Sequence, residues 1–166
     1  SSAPPFDNLD IRRALALALD RKAFASIMFE GQADIGGTML PAPGGLWSMP
    51  KEMLETIPGY GPDINANREE ARKLMQKAGY GPDKRLAVKI STRNIPIYRD
   101  PAVILIDQLK DIYIDGELEM IDSAVYFNRL YQKSYSLVLN ATGSSLDDPD
   151  QHFVGDEQDF VPVADF

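Results

Sequence analysis

From Asn8 to Asp20 the chain reads NLDIRRALALALD, in which Ile11, Ala14, Leu15 and Ala18 recur at helical spacing. Leu17 and Leu19 extend that stripe nearly all the way round, the pattern of a helix buried against neighbours on several sides. The helix is expected to open near Asn8 or Asp10. Asp20 then stands where a carboxylate can cap a second short helix, RKAFASIMF. From Gly31 to Pro50 glycine and proline dominate and predict irregular chain, with Trp47 as a packing anchor beneath it.

The pentapeptide Gly-Tyr-Gly-Pro-Asp occurs twice, at 59–63 and 79–83, one helix apart. Asn67 and Glu70 have the spacing of a capping box. Ala71, Leu74, Met75 and Ala78 form the apolar stripe that follows, and Gly79 is placed to take the left-handed conformation that ends a helix. Pro82 prevents the helix from resuming. The first copy is thus a turn before a helix and the second a stop after it. No Lys-Ser/Thr pair accompanies the glycines, so a phosphate-binding loop is not indicated.

LAVKIS, residues 86 to 91, alternates apolar and polar positions as a strand does. Asp100 and Pro101 form an N-cap and first-turn pair for a helix with Ala102, Leu105, Leu109 and Ile112 on its buried face. GELEMI, residues 116 to 121, is a second strand, and Ser123 opens a helix whose Phe127, Leu130 and Tyr131 share a face. SLVLN, residues 136 to 140, is a short apolar run expected to be a buried strand. Strand, helix, strand, helix, strand predicts right-handed crossovers and a largely parallel or mixed sheet: an α/β fold in a single domain, residues 1–166.

Composition narrows the function classes. Acidic residues outnumber basic ones 25 to 17, for a net charge of −8, and no basic stripe is present, which argues against nucleic acid as partner. With no cysteine there is no disulfide, thiolate metal site or cysteine nucleophile. No apolar run has the roughly 20 residues of a membrane-spanning helix.

In open α/β sheets ligands bind beyond the carboxyl ends of the strands. Here those ends are Thr92-Arg93-Asn94, Asp122-Ser123, and the polar run Asn140-Ala141-Thr142-Gly143-Ser144-Ser145. The only histidine, His152, follows Asp147, Asp148 and Asp150, but the spacing is not that of a calcium loop and is read as a turn and helix cap around Pro149. No metal or other cofactor is expected. No Gly-x-Ser-x-Gly elbow is present. A hydrolytic α/β domain with a carboxylate site at Asp147 or Asp148 is the rival reading.

Several of these landmarks resemble one family together. FDNLDIRRALALALDRKAF, GQADIGGTMLP, NREEARKLMQKAGYGP, PAVILIDQLKDIYIDGELEMID and LVLNATGSSLDDPDQHF occur in the order seen in the extracellular solute-binding proteins of peptide and nickel ABC importers. The resemblance implies a periplasmic-binding-protein-like lobe of type II, comprising most of the C-terminal lobe of a two-lobe receptor whose N-terminal lobe is absent from this sequence. It implies export to the periplasm, no catalysis, a small solute or peptide ligand, membrane permease subunits as partners and a monomeric state.

The same resemblance implies that Leu139 to Asp150 line the cleft; together with Arg93 and Asn94, taken from their place at a strand end, Asn140, Ala141, Thr142, Gly143, Ser144, Ser145 and Asp147 are the candidate ligand contacts. Aligning Asp148-Pro149 on the family's aspartate-proline pair puts Ser145 where peptide-binding members carry the aspartate that fixes a peptide amino terminus. Serine lacks that charge, so Asp147 is its candidate substitute, and sugars, opines and metal chelates join peptides as ligand classes.

Overall fold

A computed structural model describes residues 4–33, 35–36 and 49–140. The first two helices form where the patterning puts them, α1 over Leu9–Ala18 and α2 over Arg21–Phe29. The Asn8 side chain accepts from the Asp10 N–H at 2.8 Å, and the Asp20 carboxylate from the Ala23 N–H at 2.9 Å, so each helix start has a donor satisfied. In α1, Ala16 and Leu17 are buried along with Ile11, Ala14, Leu15 and Ala18. Arg21 makes no ion pair with its neighbour Asp20. Its guanidinium donates to the Gly59 carbonyl at 2.8 Å and lies 3.9 Å over the Tyr60 ring.

After the single turn α3, Lys51–Leu54, the first pentapeptide turns through Gly59 at φ +89°. Helix α4, Ile64–Lys77, then starts earlier than the Asn67/Glu70 box predicts. Asp63, directly after Pro62, accepts from the Ala66 N–H at 3.0 Å and wins the cap, leaving Asn67 inside the helix. At the far end Gly79 adopts φ +90°, and Tyr80 and Gly79 donate to the carbonyls of Met75 and Gln76, which satisfies orphan acceptors of the last turn. Lys77 reaches Asp10 at 2.8 Å and Arg68 donates to the Ala18 carbonyl at 3.4 Å, so α4 packs antiparallel on α1.

The remainder is a three-stranded parallel sheet of β1 (Leu86–Arg93), β2 (Ile114–Ile121) and β3 (Leu137–Val138), in the order β2-β1-β3. Leu86 pairs with Ile114 and Arg93 with Ile121, while Ile90 pairs with Leu137. Between β1 and β2 runs α5, Pro96–Leu109, continued by a 3-10 turn over Lys110–Ile112. Asp100 is therefore not its cap. Pro96 occupies the first helical position, where a missing N–H costs nothing, and Asp100 pairs instead with Arg99 at 2.9 Å. Pro101 lies inside the helix and is buried, and the Ile97 carbonyl it leaves without a donor belongs to an exposed residue near the helix start.

The core lies on one face of the sheet, where Leu86, Val88, Ile90 and Ile114 meet Ala102, Leu105 and Leu109 of α5 and the α1–α4 pair. Helix and sheet approach so closely that a Cβ on Gly116 would lie 2.9 Å from an Ile106 carbon. On the opposite face Lys89 and Glu117 are exposed, and α6, Ser123–Tyr131, packs near the carboxyl end of β1. The buried residue of α6 is Tyr126, whereas Phe127 and Tyr131, which share the expected face with Leu130, are 43% and 73% exposed. Tyr126 goes inside because its hydroxyl finds the Leu139 carbonyl there. Among the described residues no helix is long and apolar enough to cross a membrane.

Candidate functional site

Parallel register brings the three strand ends together. Asn94 donates its N–H to the Ile121 carbonyl at 3.1 Å, and the Leu139 N–H donates to Ser91 at 2.9 Å, so Arg93, Asn94 and Asn140 share one end of the sheet. Asp122, at the end of β2, is committed to capping α6 through the Ala124 N–H at 2.8 Å. The candidate contacts Ala141, Thr142, Gly143, Ser144, Ser145 and Asp147 lie outside the described residues, as do Asp148, His152 and Trp47. Among the described residues no three metal-ligating side chains gather to hold an ion.

Arg93 is a basic group at this end. Its guanidinium lies 3.9 Å over the Tyr98 ring, with the Phe127 ring at 5.5 Å and the Tyr126 ring at 6.0 Å. Its Nε is buried and has no hydrogen-bond partner among the described residues. Arg68, Arg85, Arg99 and Arg129, by contrast, each hold a carboxylate. Three aromatic faces stabilise the cation by about 0.5–2 kcal/mol per good contact but supply no acceptor, and its Nε donor has none among the described residues.

A second charged group on the same sheet face is fully engaged. Glu119 accepts from the Ser91 hydroxyl at 2.7 Å and from Arg129 at 3.1 Å. The Ser91 hydrogen bond lowers the carboxyl below the ordinary glutamate range, burial opposes it, and Arg129 adds to the lowering. This triad joins β1, β2 and α6.

Sequence reasoning missed the aromatic cradle. Tyr98 follows Arg93 by one turn and a bend, and Tyr126 and Phe127 are distant in sequence; the only signal was aromatic residues at helical positions, which periodicity reads as core. A shallow concavity of about 180 Å³ lies elsewhere, lined by Leu19, Asp20, Ala23, Ile35, Tyr60 and Ile64. Asp20 is bonded to Gln108 near the end of α5, so this concavity sits at the end of the fold away from Arg93. It is mainly apolar, and Arg21 beside it is already satisfied by carbonyls.

The family model described as bacterial extracellular solute-binding proteins, family 5 Middle, matches residues 1–156. The chain belongs to this family. No curated protein sequence matches it. Among solved structures, Haemophilus influenzae OppA in complex with the peptide RPPGFSPFR superimposes with a TM-score of 0.75 at 21% identity, covering 99% of this chain and 32% of that one. Helicobacter pylori DppA, an ABC transporter-associated periplasmic binding protein in complex with the peptide STSA, gives 0.69 at 22%, covering 90% and 27%. Brucella suis NikA in complex with Fe(III)-EDTA gives 0.69 at 20%, covering 98% and 32%. This family 5 chain therefore shares their α/β periplasmic-binding-protein-like fold and spans less than a third of the length of each.

Proposed function

We propose that this chain is one lobe of the ligand cleft of a family 5 solute-binding protein, the periplasmic receptor of a bacterial ABC importer for peptides, nickel or related small solutes. The receptor is a non-catalytic monomer that presents its closed form to membrane permease subunits. Its ligand is held at the carboxyl ends of β1 to β3 by Arg93, Asn94 and Asn140 and by the chain that follows Asn140, including Ala141, Thr142, Gly143, Ser144, Ser145 and Asp147. The observation that carries the reading is Arg93: a cation stacked on aromatic rings, with a buried Nε that has no partner among the described residues, at the strand ends where α/β folds bind ligands. A negatively charged group on the solute would complete it. When a second lobe closes and excludes water, that contact strengthens.

The test is a thermal-shift screen of the complete receptor carrying this lobe, against dipeptides, oligopeptides, sugars, opines and nickel chelates, with the 166-residue chain in parallel. A ligand that raises the melting temperature of the receptor, and does so at least about tenfold less potently with Arg93→Gln, supports the reading. Turnover of a substrate by this chain alone would overturn it and return attention to Asp147 and Asp148.

A further inference from the structure

We infer that Tyr126 and Thr92 are positioning residues: their buried hydroxyls converge on the Leu139 carbonyl and set the direction in which the chain leaves β3 beside Arg93. The inference deepens the ligand-cleft reading above and rests on it for its functional meaning.

The Tyr126 hydroxyl donates to the Leu139 carbonyl at 3.2 Å, and the Thr92 hydroxyl lies 3.2 Å from the same oxygen. Tyr126 is 1% exposed and Thr92 is fully buried, so water does not compete for either. The one carbonyl is thereby approached by hydroxyls from two sides, which restrains the peptide plane between Leu139 and Asn140. The Leu139 N–H, held by the Ser91 carbonyl at 2.9 Å, fixes the plane before it.

Thr92 also reaches the Tyr98 carbonyl at 3.3 Å, sharing its single proton between the end of β3 and the first turn of α5. The Tyr98 ring carries the Arg93 guanidinium, and the Tyr126 ring meets Phe127 edge to face at 5.4 Å. The same few side chains therefore hold the cation and the start of the chain after β3 in one frame. Burial pushes the Tyr126 phenol up to about 12, so its proton stays available to Leu139 at physiological pH.

A purely packing role would be met equally by phenylalanine, so Tyr126→Phe isolates the hydroxyl. Amide hydrogen exchange, read by NMR on the 166-residue chain, needs no ligand and is independent of whether any solute is found. Tyr126→Phe is expected to speed exchange of the Leu139 amide, held by Ser91, about tenfold while leaving the β1–β2 ladder unchanged. Thr92→Val should do the same, and Thr92→Ser, which restores a hydroxyl, should behave as wild type. If Tyr126→Phe does not fold, the Thr92 pair decides alone. Equal exchange at Leu139 in wild type and Thr92→Val, or acceleration spread evenly over the ladder, would overturn the inference.

Discussion

The side-chain amide of Gln108 forms two hydrogen bonds with the main chain of Asp20, accepting from its N–H at 3.0 Å and donating to its carbonyl at 3.2 Å. A side chain thus does what a neighbouring strand would do for the residue between α1 and α2. It fastens that junction to α5, 88 residues away in the sequence.

Gln108→Leu leaves both Asp20 groups without partners in a part-buried site and is expected to cost about 1–3 kcal/mol in urea unfolding. Gln108→Glu keeps an acceptor for the N–H but loses the donor and buries a charge. It should be at least as damaging at neutral pH and recover in acid, where a protonated carboxyl can donate again. A pH-independent loss would count against the paired geometry.

Gly59 and Gly79 separate two costs that usually come together. Both have φ near +90°, but a Cβ at 59 would collide with the Ala16 carbonyl oxygen, whereas at 79 none of the described residues lies within 4 Å. Gly79→Ala should cost about 1–2 kcal/mol for conformation alone. Gly59→Ala must also part α1 from the turn that Arg21 holds, and its loss in thermal melting should be clearly the larger. Equal losses would refute the close approach.

Ser91→Ala removes the principal hydrogen bond that lowers the Glu119 carboxyl. A carboxylate with a depressed folded-state pKa stabilises the protein above its unfolded value and loses that contribution as pH falls through the folded value. The variant is therefore less stable than wild type at neutral pH. The gap should narrow as the pH drops below the ordinary glutamate value of 4.5, which parallel denaturation curves at the two pH values would show. A gap that widens in acid would contradict the assignment.

Arg93→Met tests whether the cation serves the fold or the ligand. Methionine keeps contact with the Tyr98 and Phe127 rings and removes a buried donor that the described residues do not satisfy. Stability of the 166-residue chain should change by no more than about 0.5 kcal/mol or should rise, since functional groups are commonly held at the expense of stability. A loss above about 2 kcal/mol would make Arg93 a structural residue.

Legibility followed how local the deciding interaction is. The caps at Asn8 and Asp20 and the stop at Gly79 depend on contacts within a few residues, and the sequence pattern located all three. Where two local signals competed, pattern alone chose wrongly. Asp63 caps ahead of Asn67 because its carboxylate already accepts from the Ala66 N–H one turn earlier, and Pro96 pre-empts Asp100 because the chain can begin its helix there without losing a bond. The Arg93 cradle depends on tertiary placement of Tyr98, Tyr126 and Phe127, which no short window contains. The alternation of strands and helices did give the parallel sheet, because that geometry follows from connectivity.

The strand order also sets a sequence of assembly. β1 is central, and its pairing with β2 joins eight residue partners across one helical crossover, whereas β3 brings only Ile90–Leu137 and Ser91–Val138 after a much longer stretch of chain. Loop-closure entropy rises with that length while the return in hydrogen bonds is smaller. β3 is therefore expected to dock last and to detach first, as the least stable cooperative unit of the sheet. The β1–β2 scaffold with α5 would then stand before the strand that delivers Asn140 arrives, so small changes in the surroundings can loosen that strand without unfolding the rest.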